Sequence, residues 1–180
     1  MRGCKAPFFV IITLFSDFAN YTYMIDKQQV RTIVEQWLEQ KEGYFLVDVM
    51  VTPDDRVVVE IDHAEGVWIE DCVELSRFIE SRLDRNVQDY ELEVGSAGIG
   101  QPFKVLQQYL NHVGKEVEVQ PKGGGAKIKG ILVKADEAGF SVLTKRKETV
   151  EGSKRPKMVE VEVPFKYGEI NYTKYVISLK

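Results

Sequence analysis

A strand that runs into three glycines and a proline limits this chain more than any other stretch. Tyr90-Glu91-Leu92-Glu93-Val94 alternates apolar and charged residues, the period of a half-buried strand. Gly95, Gly98 and Gly100 follow, then Pro102. Glycine admits backbone conformations and close approaches that other residues resist. Proline cannot continue a central strand, and it suits the first turn of a helix. The block therefore predicts a strand that stops abruptly, a turn, and a short helix from Phe103 to about Asn111. Its glycine spacing is not that of a dinucleotide fingerprint, and no Gly-Lys-Ser/Thr phosphate loop occurs. Gly95-Ser96-Ala97-Gly98 does match G-x-x-G, the loop that clamps RNA backbone in KH domains. That loop joins two helices, whereas this one follows a strand. A structural turn is the first reading of Gly95, Ser96, Gly98 and Pro102, and a direct binding role is the second.

The segments before the block read as α-β-β-α. Asp26 can cap a helix, with Gln29 placed as in a capping box. Val30, Ile33, Val34, Trp37 and Leu38 then make one apolar face, and Gly43 closes the helix. Residues 44–52 alternate, with Phe45, Val47, Val49 and Val51 expected on one face. Pro53-Asp54-Asp55 is turn chemistry, and Val57, Val59 and Ile61 resume the alternation, predicting a hairpin. A helix from about Ile69 to Leu83 has a broad apolar face of Cys72, Val73, Leu75, Phe78, Ile79 and Leu83. With the strand through Leu92, this αββαβ order predicts three strands with two helices, a KH-like layout.

After Gly114 the pattern changes to short strands and turns. Val117 and Val119 alternate with glutamates, Pro121 to Gly125 is a loop, and 128–135, 140–144, 158–163 and 172–179 read as strands. Gly130 marks a bend or bulge. Five short strands predict a small β-barrel, with a charged loop from Lys145 to Lys157. The expected fold class is α+β, divided into residues 24–111 and 112–180.

Charge divides at the same place. Residues 24–111 hold 8 Lys and Arg against 18 Asp and Glu, a charge of −10. Residues 112–180 hold 14 against 9, a charge of +5. A uniformly basic nucleic-acid binder is excluded; two surfaces with different partners are expected. Residues 1–23 include an apolar run, Phe8 to Phe15, too short to span a membrane. We expect these residues to be a spurious or disordered extension, with Met24 as the true start; a genuine extension and a secretory signal are the alternatives.

Catalytic chemistry finds little support. Two cysteines, Cys4 and Cys72, make neither a disulfide framework nor a zinc site. Glu60, Asp62, His63 and Glu65 form the densest polar cluster. Glu60 and Asp62 lie opposite Val59 and Ile61, so a solvated strand end is expected rather than a metal or acid–base site. His112 stands alone, and no nucleophile elbow or zinc-protease motif occurs. No catalytic residue, metal or cofactor is expected. The basic residues are better candidates. Lys127 and Lys129 share a strand face, and Lys145, Arg146, Lys147, Lys154, Arg155 and Lys157 fill the charged loop, where they can neutralise phosphates. Tyr167, Tyr172 and Tyr175 are expected in the barrel core more than as stacking groups.

The block Leu92 to Phe103 resembles the signature of the bacterial ribosome maturation factor family RimP, Leu-Glu-Val-Ser-Ser-Pro-Gly-Leu-Asp-Arg-Pro-Leu. Leu92, Glu93, Val94, Ser96, Gly98 and Pro102 match; Gly95, Ala97, Gly100 and Gln101 differ, so the Asp-Arg pair is missing. Glu70 to Arg77, Gly114-Lys115-Glu116-Val117 and Ile170 to Lys174 also resemble the family, and the likeness runs from Ile25 to Leu179 in order. It implies a KH-like unit followed by an Sm-like, SH3-type barrel. It also implies a cytoplasmic, non-enzymatic factor that assists assembly of the small (30S) subunit. The implied partners are the immature small subunit, a basic small-subunit ribosomal protein and, as a further contact, ribosomal RNA; no membrane is involved. The alternative is a general RNA-binding regulator of messages.

Overall fold

The computed structural model describes residues 25–98, 100–148 and 157–176. The expectations for residues 1–23, and those for Lys154 and Arg155, lie outside them. The described residues are α+β. The elements are α1 (Lys27–Leu38), β1 (Tyr44–Val51), β2 (Arg56–His63), α2 (Ile69–Glu80), β3 (Glu91–Ser96), α3 (Leu106–Asn111), β4 (Glu116–Pro121), β5 (Ile128–Ala135), β6 (Phe140–Glu148), β7 (Lys157–Phe165), a 3₁₀ turn (Tyr167–Glu169) and β8 (Ile170–Tyr175).

The first sheet has the order β1-β2-β3, with β1 antiparallel and β3 parallel to β2. Helices α1 and α2 cover one face. Asp26 caps α1 by accepting from the Gln28 amide at 3.0 Å, one residue short of the expected box. Val30, Ile33, Val34 and Trp37 of α1 pack with Val57, Val59 and Ile61 of β2 and Leu75 and Ile79 of α2. Each fully buried aliphatic side chain of this kind stabilises by about 1.5–3 kcal/mol.

The hairpin departs from simple alternation. A bulge between Leu46 and Asp48 inserts Val47 as an extra residue, which flips the later residues to the other face. Tyr44 and Leu46 before the bulge and Val49 and Val51 after it pack on the core. The expected partnership of Phe45 with Val49 and Val51 is therefore replaced. Helix α2 stops at Glu80, three residues before Leu83.

The second sheet has the order β7-β6-β5-β4-β8. The strand count agrees with expectation, but the sheet is open among the described residues: β7 and β8 are its edges, and they do not pair. Val117, Val119, Leu132, Phe140, Val142 and Ile170 form its core with Tyr109 of α3. The expected loop from Lys145 is also different. β6 continues to Glu148 and β7 begins at Lys157, paired in register from Phe140↔Phe165 to Glu148↔Lys157. Lys145, Arg146, Lys147 and Lys157 are strand residues. Their charge disguised the strands: Lys145 faces Glu160, and a cross-strand pair of opposite sign stabilises a ladder as a run of valines does.

Gly130 lies where β5 crosses β6. A Cβ at this position would overlap the Leu143 carbonyl oxygen and crowd Val142 Cγ1 at 2.7 Å. Gly130→Ala should lower stability by about 1–3 kcal/mol, read as a lower denaturation midpoint with an unchanged slope in urea. A neutral result would mean that the two strands separate without cost.

A polar network anchors α2. Lys41 Nζ meets Asp71 at 3.2 Å and Glu74 at 2.7 Å, Tyr44 donates to Asp71, and Trp37 Nε1 donates to Glu74 at 3.0 Å. The Tyr44 hydrogen bond, aided by Lys41, holds the Asp71 carboxyl below its ordinary value. Lys41 does the same for Glu74. A carboxylate with a lowered folded pKa stabilises the protein above the unfolded carboxylate range and loses that contribution as pH falls through the folded value. Asp71→Asn should therefore be less stable at pH 7 and lose less stability between about pH 5 and pH 2. Parallel acid titration curves for the two proteins would show that the network is not coupled to folding.

Candidate functional site

Two features concentrate polar chemistry: the seam between the sheets, and one face of the second sheet. The glycine–proline block makes the seam. Gly95 and Ser96 are the last residues of β3, paired with Glu60 and Ile61 of β2. The Ala97 amide still donates to the Ile61 carbonyl at 3.1 Å. Of the three glycines only Gly100 is left-handed, at φ 82°, the conformation that glycine adopts without strain. Gly95 and Gly98 turn the chain without it. The expected helix does not start at Phe103: Pro102 forms an isolated bridge with Lys174 of β8, and the Phe103 amide donates to the Thr173 carbonyl at 2.7 Å. The block thus carries the chain from the edge of one sheet to the edge of the other.

Three side chains secure that crossing. Lys104 Nζ contacts Glu60 at 2.7 Å and Asp48 at 3.1 Å, both on the face of the first sheet away from the helices. Hydrogen bonding to Glu60 holds the Lys104 ammonium above its ordinary pKa. Gln108 is 3% exposed. Its amide oxygen accepts from the Lys104 amide at 2.8 Å, and its nitrogen donates to Asp62 at 3.2 Å. The cluster expected to be a solvated strand end is therefore engaged by the connecting segment. His112 Nδ1 donates to the Gln108 carbonyl at 2.7 Å, and its ring lies 4.8 Å from Phe103 and 5.1 Å from Tyr175. Burial keeps His112 below the ordinary histidine pKa. Beside it opens a cleft of about 360 Å³, bordered by His63, Ser96, Gly98, Gln101, His112 and Tyr175. Among the described residues no group of three or more His, Cys, Asp or Glu could hold a metal, and no helix is long and apolar enough to cross a membrane.

The second feature follows from strand register. Glu118 on β4 sits between Lys129 on β5 and Lys174 on β8. Glu118 is 7% exposed and meets Lys127 at 3.1 Å, Lys129 at 3.7 Å and Lys174 at 3.7 Å. Tyr172 donates to it at 3.1 Å. Burial alone would push its carboxyl pKa up; the Lys127 and Tyr172 hydrogen bonds and the nearby ammonium groups outweigh burial and hold it below the ordinary value. Three lysines around one carboxylate leave an excess of two positive charges. Lys127 and Lys174 also stand 5.8 and 5.7 Å from the Tyr172 ring centroid. This geometry suits a phosphate-bearing chain running past an aromatic edge.

Lys127 and Lys129 thus meet on one face, as their spacing predicts, but Lys145 lies elsewhere, along the β6–β7 ladder. Tyr167 packs on the second core and donates to the Asp136 carbonyl at 2.7 Å; Tyr172 and Tyr175 are half-buried at its surface. Sequence reasoning missed Lys104, Gln108, Glu118 and Lys174. A lysine or glutamine on a short helix, or a glutamate on an alternating strand, reads as solvated. The spacing of Lys129, Glu118 and Lys174 becomes informative only once the order β5-β4-β8 is known.

The chain matches the family described as RimP N-terminal domain over residues 33–100. It is 39% identical over 154 residues to the ribosome maturation factor RimP of Porphyromonas gingivalis strain W83, covering 86% of this chain and 100% of that protein. It is 30% identical over 152 residues to the RimP of Christiangramia forsetii, covering 84% of this chain and 98% of that one. With the RimP of Flavobacterium psychrophilum it shares 30% identity over 119 residues, 66% of this chain and 76% of the relative. Likeness of this degree along the whole length of one RimP protein and nearly the whole of a second places the chain in the RimP family.

Proposed function

We propose that this protein is a ribosome maturation factor that acts in the cytoplasm on the small (30S) ribosomal subunit, by transient, non-catalytic binding. The observation that carries this reading is the end-to-end likeness to the RimP of Porphyromonas gingivalis. The charge division supports it. An acidic region of −10 favours a basic small-subunit ribosomal protein, and a region of +5 favours ribosomal RNA. We further propose that residues 24–111 and 112–180 act as KH-like and Sm-like units. The protein would hold a local arrangement of the immature subunit until later proteins fix it.

Two sets of cations are the candidate RNA contacts. One is Lys127 and Lys129 with Lys174 around Glu118. The other is Lys145, Arg146 and Lys147, continued by Lys154, Arg155 and Lys157. Alanine at Lys127, Lys129 and Lys174, or at Lys145, Arg146 and Lys147, should weaken binding to small-subunit RNA and flatten its salt dependence. Each lost contact to single-stranded RNA should change the log–log slope by about 0.7. Slopes unchanged in both variants would remove RNA from the proposal.

A gradient profile tests the reading as a whole. Deletion should leave translation possible and slow the supply of mature small subunits, so that free large subunits and immature small subunits accumulate. The protein itself should sediment with small-subunit particles. A normal profile with altered levels of a few messages would instead favour a regulator of messages.

A further inference from the structure

Helix α2 has more apolar surface than the core uses. Leu75, Ile79, Phe78 and the following Leu83 face inward. Trp68, Ile69 and Val73 do not: they are 69%, 78% and 44% exposed. Trp68 stands at the N-cap position without capping the helix through its side chain, while its neighbour Val67 turns in toward the core. Ile69 and Val73 are one turn apart, so the three side chains adjoin. A tryptophan and an isoleucine held in water together cost free energy unless something covers them, and tryptophan is among the residue types that dominate binding energy at interfaces.

The charge around the patch selects the occupant. Between Ala64 and Glu74 the chain has Glu65, Glu70, Asp71 and Glu74 and no cation. Lys41 engages Asp71 and Glu74, leaving Glu65 and Glu70 at the surface. An apolar centre with an acidic rim fits a basic polypeptide that supplies an apolar anchor. Nucleic acid would be repelled. A second copy of this chain would bring two regions of −10 together. We propose that Trp68, Ile69 and Val73 form a docking surface for a lysine- or arginine-rich protein segment. This rests on the function proposed above and names the face that the basic protein partner uses.

Trp68 reports on its own occupancy, because the other tryptophan, Trp37, is 2% exposed. The test titrates the full chain with a synthetic lysine-rich peptide containing leucines, and with the same peptide carrying serine for leucine. The leucine peptide should shift Trp68 emission to the blue and bind about tenfold or more tightly than the serine peptide. Trp68→Ala with Ile69→Ser should lose that preference with an unchanged melting temperature, and Glu65→Gln with Glu70→Gln should weaken binding of both peptides. No emission shift, or equal binding by the Trp68→Ala/Ile69→Ser protein, would overturn the proposal. So would emission already blue-shifted in the full chain that moves to the red when the chain starts at Met24, since the patch would then be covered by its own N-terminal segment. Concentration-dependent dimerisation abolished by Trp68→Ala would overturn it in favour of a second copy. Cosedimentation with small-subunit particles is measured on the same proteins. Particle binding that survives Trp68→Ala/Ile69→Ser sinks the docking surface alone, whereas absent particle binding by the unmodified chain sinks the function and leaves the peptide result standing.

Discussion

One buried amide holds the two sheets in relation to each other. Gln108 accepts from the Lys104 backbone and donates to Asp62 from a position that is 3% exposed. A buried donor or acceptor without a partner costs about 1–3 kcal/mol, so Gln108 fixes the turn before α3 and the approach of α3 to β2 together. Lys104 adds charge to the same junction by bridging Asp48 and Glu60. On the far side, Pro102 and Phe103 join β8 through main-chain contacts. The connecting segment is therefore engaged on both sides, and the relative placement of the acidic and basic surfaces follows from it.

Much of the architecture was legible in the sequence because burial imposes a period. Val30, Ile33, Val34 and Trp37 announce α1, and Val57, Val59 and Ile61 announce β2, since one face of each element must leave water. Three failures have specific causes. The Val47 bulge changes phase within β1, and no local pattern marks one inserted residue in an apolar run. Lys145 to Glu148 reads as a loop because its charges satisfy one another across the β6–β7 ladder instead of following burial. The expected closed barrel is an open sheet, since closure depends on whether distant edge strands β7 and β8 meet, and strand counting cannot decide that.

The candidate site was legible only in its charge. The excess of cations after residue 112 was visible at once, and Lys127 and Lys129 were placed on one face by their spacing. Their organisation around Glu118 was not, because Lys174 arrives from a strand more than fifty residues further along. The same limit applied to α2. Val73 and Cys72 read as core because the apolar stripe is continuous, but the stripe is wider than the contact it makes with β3 and α1. Excess apolar width on a helix can be recognised only after the packed part has been subtracted.

Opposite charges held apart on one body have a kinetic consequence for a transient binder. Attraction between exposed charges is screened within about 8 Å at physiological salt, so neither surface alone provides lasting affinity. It mainly accelerates encounter with a partner of opposite sign. Two such surfaces in a fixed relation act together: once one is engaged, the other searches a small volume, and the combined affinity exceeds either part without a large apolar interface. The gain disappears when the geometry of the target changes so that both contacts cannot form at once. A factor that releases its target on maturation needs that behaviour, and here it would depend on the rigidity of the seam around Gln108 more than on the strength of either surface.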